Sequence, residues 1–206
     1  MIDNYEIDDL GVIHQIERKP FVYDQKYAQT YTNYGAVNIQ LNNLRLGYVI
    51  GSIGKIPESI LDYGYGNGDF LRVASKTIKN CFGNDINTQP IPEKCTFVDS
   101  LFGRHYEVIT FFDSIEHCPD IDWVGKLDAM YICISLPWCH YFDDEWFTNW
   151  RHRKPDEHLH HFNEISLIKF MNKHGYECLN YCNLEDSIRI PSDKNKNILT
   201  AIFKKI

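Results

Sequence analysis

No apolar run in this chain approaches the roughly 20 residues needed to cross a bilayer as a helix, so no membrane partner is expected. A basic leader is missing as well. Met1 to Leu10 holds four acids and no Lys or Arg, the reverse of a secretory signal peptide. The seven cysteines are odd in number, include no Cys-x-x-Cys pair and are spread through apolar segments, an inventory that points to reduced thiols and a cytoplasmic location. Excess positive charge is absent too: 21 Lys and Arg face 28 Asp and Glu for a net charge of -7. A phosphate-tracking surface is therefore not expected and nucleic acid is disfavoured as a partner, although Arg151 to Lys154 forms a local basic patch. Low-complexity tracts and internal repeats are lacking. What remains is 206 residues, 44% hydrophobic and 14% aromatic, the make-up of one globular unit with a sizeable core.

The chain is organised around Leu61-Asp62-Tyr63-Gly64-Tyr65-Gly66-Asn67-Gly68-Asp69-Phe70-Leu71. Ile60 and Leu61 end a buried strand, the glycines make a tight turn, and Phe70, Leu71, Ala74 and Ile78 share one face of a helix. Glycines let a ligand approach the backbone and permit positive φ, and the start of the helix aims unpaired N–H groups at the turn. A dinucleotide fingerprint, G-x-G-x-x-G, would need a third glycine at position 69, where the chain has Asp69. A nucleotide or dinucleotide module is therefore the weaker alternative.

Cys81 to Ile86 reads as a second strand with Asp85 at its end, 17 residues beyond Gly68. That distance brings a carboxylate to the sheet edge beside the glycine turn, where it can accept both hydroxyls of a ribose. Pro90 and Pro92 bar a regular helix from the next connection. Cys95 to Val98 is a third strand ending at Asp99-Ser100, and Tyr106 to Phe112 is a fourth, apolar enough to be covered on both faces. It runs into Asp113-Ser114-Ile115-Glu116-His117.

Asp62 followed by G-x-G-x-G resembles the first motif of the class I S-adenosylmethionine (SAM) dependent methyltransferases. The D-x-x-E-H run at 113–117, and His158-Leu159-His160-His161-Phe162 ahead of a helix, resemble the small-molecule branch that includes ubiquinone-type O-methyltransferases. The resemblance covers residues 60 to 203. It implies an α/β fold: a three-layer, Rossmann-like, seven-stranded sheet, mostly parallel with a C-terminal antiparallel hairpin, plus an N-terminal helical cap. It implies SAM as cofactor, held by Asp62, Gly64, Tyr65, Gly66 and Gly68 of the glycine loop. Asp85 and Ile86, Asp99 and Ser100, and Asp113 are the expected contributions of the next three strand ends. The implied activity is methyl transfer to oxygen or nitrogen of a small-molecule acceptor, by a monomer or homodimer. A protein that binds SAM or S-adenosylhomocysteine without transfer, or that catalyses another reaction, is the alternative.

Residues 1 to about 35 read as an irregular or partly helical arm whose tyrosines, at 23, 27, 31 and 34, pack on the main unit. Val37, Leu41, Leu44 and Tyr48 recur at helical spacing from Ala36 to about Ile50. Together these give a helical cap over 1–58 on a SAM-binding domain over 59–206. Pro119 to Leu127 suggests a short helix, and Ala129 to Ser135 a fifth strand. Residues 138 to 162 hold three of the four Trp and five of the nine His, too many for a plain connector, and are expected to wall the acceptor pocket. Asn163 is the expected N-cap of a helix with Ile165, Ile168 and Met171 on one stripe and Leu167 and Phe170 beside it. Tyr176 to Tyr181 and Asn197 to Phe203 are the closing strands, with a polar, exposed connection over 184–197.

Methyl transfer from a sulfonium is an in-line displacement, so the protein must align the nucleophile and, for a hydroxyl, remove a proton. His117, His140 and His158 are the candidate bases because imidazole titrates near neutral pH. His158, His160 and His161 with Asp156 and Glu157 offer metal-type ligands. The segment lacks an H-E-x-x-H spacing, and His158 and His161 would share a face only in a helix; no metal is expected.

Overall fold

The structure is a computed structural model and describes residues 2–21, 35–86, 89–191 and 194–206. Its centre is a seven-stranded sheet formed by β3 (Ser59–Tyr63), β4 (Asn80–Asn84), β5 (Cys95–Phe97), β6 (Tyr106–Phe112), β7 (Ala129–Pro137), β9 (Tyr176–Cys182) and β10 (Ile198–Lys205). The strand order is β5-β4-β3-β6-β7-β10-β9. The first five run parallel, and β10 is inserted antiparallel to both β7 and β9. The order reverses between β3 and β6, so the carboxyl ends of these two strands flank the crevice in which open α/β sheets bind ligands.

Alternation along each strand builds two cores. Ile60, Val108, Cys133 and Ile202 point to one face, where Leu46 and Val49 of α1 (Gly35–Ile53) and Phe70 and Leu71 of α2 (Asp69–Ala74) cover them. Leu61, Ile109, Ile132, Ile134 and Phe203 point to the other, against Leu167, Phe170 and Met171 of a helix at Glu164–Lys173. The sheet is thus buried on both faces, as its near-continuous apolar strands require. No regular helix joins β4 to β5 among the described residues, in keeping with Pro90 and Pro92.

Two stripes sit one step away from where periodicity puts them. From Asn38 onward the buried residues of α1 are Asn42, Arg45, Leu46 and Val49, whereas Leu41, Leu44 and Tyr48 are half-buried, and the side chain of Val37 lies outside the described residues. Two polar side chains therefore occupy the covered face. At Glu164–Lys173, Ile165 is 58% exposed while Ser166 is buried. Asn163 Oδ1 accepts from Ser166 N (2.8 Å) and Ser166 Oγ accepts from Asn163 N (3.0 Å). This reciprocal capping box turns Ser166 inward and moves the apolar stripe to Leu167, Phe170 and Met171.

The N-terminal arm also departs from expectation. β1 (Tyr5–Ile7) and β2 (Ile13–Gln15) form a hairpin whose second strand pairs with β8 (His160–His161), a separate three-stranded sheet. Tyr5 and Ile13 pack with Cys139 and with Phe147 of α3 (Asp144–Asn149), so among the described residues of 1–58 a hairpin accompanies the helix α1. Tyr23, Tyr27, Tyr31 and Tyr34 lie outside the described residues. The helix at Glu164–Lys173 is α4.

Candidate active site

A cavity of about 1220 Å³ opens at the carboxyl ends of β3, β4 and β6. The glycine loop forms one wall. Gly64, Gly66 and Gly68 have φ of 71°, 55° and 78°, a region L side chains avoid. Gly64 is under a second constraint, because a Cβ there would lie 2.8 Å from Ser114 Cβ. Tyr65 lines the cavity but turns its ring into the core and donates its hydroxyl to Gln89 O. The ring fits only because β4 has Gly83 opposite, where a Cβ would meet Tyr65 Cδ1 and Leu71 Cδ1 at 2.8 Å.

Asp62 is 3% exposed and receives a hydrogen bond from Thr110 Oγ1 (2.8 Å). Burial pushes its carboxyl up to about 7, against that hydrogen bond. Asp85 lines the cavity at the end of β4 and accepts from Gly66 N (2.8 Å); the exposed Ile86 lies beside it. Ser114 lines the cavity with a buried hydroxyl that has no hydrogen-bond partner among the described residues. Asp99 and Ser100 are exposed and do not line the cavity; Ser100 Oγ instead accepts from Phe102 N in a local turn. Gly68 shapes the turn from behind and does not line the cavity either.

Asp113, at φ 53°, is the centre of an ion network absent from the sequence reading. It accepts from Arg45 Nη2 (2.8 Å) and Arg189 Nη1 (2.8 and 2.9 Å). Arg45 also pairs with Glu185 through Nε (2.7 Å) and Nη2 (2.9 Å), and Ser135 Oγ donates to Glu185 Oε1 (2.7 Å). Burial opposes ionisation of Asp113, but Arg189 and Arg45 outweigh it and hold the carboxyl well below the usual range. The same two cations depress Glu185 against its burial. The 184–197 connection is thus partly buried, contrary to expectation, because its charges meet partners there. The available sequence signal was Arg45, the one charged residue in the sequence of α1.

The three histidines separate. His117 and His158 both line the cavity, with ring centroids 4.7 Å apart and planes at 90°. Burial lowers both, His158 to about 2. His140 lies elsewhere, stacked on Trp138 and Phe142, and bonds Lys196 O (2.8 Å). The segment 138–162 splits in the same way: Arg151, His152, Lys154, Asp156, His158 and Leu159 line the cavity, whereas Trp146 and Trp150 stack on each other away from it.

Residues 156–161 are not helical, and His160 and His161 are tied up in β8, so the metal ligand set of those residues is not assembled. A different group is. Ligand atoms of Glu116, His117 and His158 lie within 4.8 Å of one another. Glu116 is 1% exposed, and neither oxygen has a hydrogen-bond partner among the described residues. Burial, then the nearby Asp113 charge, pushes its carboxyl up to about 8.

A sheet of this order with a glycine-loop cavity at its switch point defines a Rossmann-like methyltransferase fold. Residues 44–181 match the family described as Methyltransferase domain, and the chain belongs to that family. No curated protein sequence matches. Among solved structures, the chain resembles the Burkholderia thailandensis 1,6-didemethyltoxoflavin-N1-methyltransferase, solved with its substrate and S-adenosylhomocysteine. The two are 13% identical over 98% of this chain and 99% of that one, with a TM-score of 0.59. A SAM-dependent methyltransferase from Clostridium acetobutylicum is 11% identical over 87% of this chain and 98% of its own, with a TM-score of 0.61. A chain of the Haloferax volcanii complex between the Trm112 methyltransferase activator and a methyltransferase is 11% identical over 90% and 99%, with a TM-score of 0.60. The protein is a SAM-dependent methyltransferase. Its residues fit that cofactor: Gly64 and Gly66 keep side chains off their part of the cavity wall, and Asp62, Asp85 and the Ser114 hydroxyl, without a hydrogen-bond partner among the described residues, offer polar groups along it.

Proposed function

We propose that this enzyme methylates an oxygen or nitrogen of a small acceptor molecule that carries negative charge. The observation that carries this reading is the change in charge balance along one cavity: Asp62, Asp69 and Asp85 around the glycine loop, then Arg18, Lys19, Arg151 and Lys154, the last paired with Glu157, against Asp156 on the wall made by the arm and residues 151–159. Basic groups concentrated there in a chain of net charge -7 favour an anionic acceptor. Residues 59–206 hold the cofactor and residues 1–58 cap it. Bound SAM supplies an electrophilic methyl group. Asp62 and Ser114 bind its amino-acid end, and Asp85 accepts the ribose hydroxyls. His117 and His158, kept neutral by burial, face the acceptor. Free cysteines suit a cytoplasmic enzyme. No helix among the described residues is long and apolar enough to cross a membrane.

Calorimetry tests the cofactor part. S-adenosylhomocysteine is expected to bind and NAD not to, with Asp85→Ala weakening binding about 10- to 100-fold, the value of one or two hydrogen bonds to a charged group. Tight NAD binding without S-adenosylhomocysteine binding would sink the reading. For the acceptor, label transfer from methyl-labelled SAM to small hydroxylated or amino acids is expected. Salt-sensitive, submicromolar binding to DNA or RNA would overturn the small-molecule assignment.

A further inference from the structure

We infer that Glu116, His117 and His158 bind one divalent first-row transition-metal ion, which holds an oxygen of the acceptor. This rests on the methyltransferase reading for what the ion does, but not for its existence. Two imidazoles and a carboxylate on adjoining segments, the turn after β6 and the stretch before β8, converge at one end of the cavity. Around an ion with bonds near 2.1 Å, ligand atoms sit about 3 to 3.5 Å apart. The atoms here, within 4.8 Å of one another, need to close by at most about 1.3 to 1.8 Å to reach that spacing, a side-chain adjustment.

Each ligand is placed as a metal ligand is. His158 Nδ1 bonds His152 O at 2.7 Å, which fixes the tautomer and presents Nε2. His117 bonds the Glu157 backbone. Histidine ligands characteristically donate their other ring nitrogen to such a carbonyl. Glu116 is the second, independent sign. A carboxyl group that is 1% exposed with both oxygens unpartnered among the described residues is costly unless something satisfies it. Its charged neighbours do not: Arg189 is committed to Asp113 and Glu185, and Lys154 Nζ to Glu157 Oε1 at 2.9 Å.

The donor set selects the ion. Two nitrogens and one oxygen suit manganese, iron, cobalt or zinc, whereas Mg²⁺ and Ca²⁺ prefer all-oxygen sites. Three protein ligands leave coordination positions open. Glu116 lies behind the cavity wall and His117 and His158 on it, so the open positions face the acceptor. An oxygen of the acceptor coordinated there is oriented, and a hydroxyl is made more acidic. The two histidines thus act together through an ion rather than singly as bases.

Titration of the full-length protein with Co²⁺, followed by its visible ligand-field absorption, tests this, with Mg²⁺ as the control. The expected result is one equivalent of Co²⁺ in a nitrogen- and oxygen-ligated environment, unaffected by excess Mg²⁺. Loss of an outer partner alone weakens metal sites about 10- to 100-fold; Glu116→Gln and His158→Ala are expected at or above the top of that range. Circular dichroism reports folding, and if His158→Ala fails to fold, the near-isosteric Glu116→Gln carries the test. No Co²⁺ bound by the wild type, or Co²⁺ bound equally well by both variants, overturns the inference. S-adenosylhomocysteine binding is measured in parallel. Its absence from a wild type that does bind Co²⁺ in a Glu116-dependent way would remove the methyltransferase reading and leave the metal site standing.

Discussion

Two glutamates are almost entirely withdrawn from water and are treated in opposite ways. Glu185 is 0% exposed and is met by Arg45, Arg189 and Ser135; Glu116 is 1% exposed and has no hydrogen-bond partner among the described residues. Asp113 stands between the two groups, taking both arginines on one side and raising Glu116 by its charge on the other. A buried charge is tolerable only with a counter-charge. The first cluster is therefore complete, fastening α1 and the segment before β10 to the sheet. The second is open, and that difference separates a structural ion network from a ligand site.

Removing one partner of the closed cluster is expected to have the largest effect. Arg45→Met leaves Glu185 half-compensated and should cost about 3 to 5 kcal/mol of stability, read from urea unfolding; a loss under about 1 kcal/mol would show that the cluster is not truly desolvated. Combining Arg45→Met with Glu185→Met keeps Asp113 paired with Arg189 and is expected to recover most of that loss, because apolar replacement of buried pairs is commonly neutral. The cluster would then be a fastening that apolar packing can replace.

Acid should act more gently. His152, His158, His160 and His161 are lowered by burial to about 4, 2, 4 and 3. Below the ordinary histidine value near 6.5 the unfolded chain takes up protons at these four positions that the native chain refuses, so stability falls with pH. Asp62 and Glu116, raised to about 7 and 8, work the other way: the native chain holds two protons that the unfolded carboxyls have released. The two effects nearly cancel at about pH 6.5, and the net excess of protons on the unfolded state then grows to about two by about pH 5, each worth about 1.4 kcal/mol per pH unit. Thermal midpoints should therefore drop from pH 6.5 to 5, and more steeply in Glu116→Gln, which loses one of the two opposing protons. A flat profile would contradict the burial of the histidines.

The smallest change is expected from Glu116→Gln itself at pH 7.5, within about 1 kcal/mol of wild type when no metal is present, since the carboxyl group's approach to His117 Nε2, at 3.9 Å, is too long for a hydrogen bond. A loss above about 2 kcal/mol in the same urea titration would mean that Glu116 has a structural partner, and the comparison between the two glutamates would fail.

The sheet and the donor side were legible in the sequence because local pattern alone builds them. Strand apolarity, the glycine turn and the acid 17 residues after Gly68 all act within short stretches, and β3, α2 and β4 lie where those patterns put them. The acceptor side was not. Arg45, Glu185 and Arg189 are distant in sequence, and a charge on an apolar helix carries no sign of the partner that makes its burial possible. His158 and His140 look alike in a histidine-rich segment, and only the turn of the chain at residues 151–159 sends one to the cavity and the other to a tryptophan stack. Glu116 was visible as part of D-x-x-E-H, but its lack of a hydrogen-bond partner is a property of three-dimensional packing.

The pairing of β2 with β8 has a consequence for the order in which the molecule assembles. His14 and His160, bonded through their Nδ1 atoms at 2.7 Å, are 146 residues apart, whereas β3, α2 and β4 are neighbours along the chain. Long loops close slowly because their entropy is lost before any contact rewards it. The donor half can therefore fold on local contacts, while the stretch carrying His158 takes its final position only when the arm docks. Pulsed hydrogen exchange during refolding should protect β3 and β4 before β2 and β8, making the cavity wall that carries His158 the last part of the molecule to form.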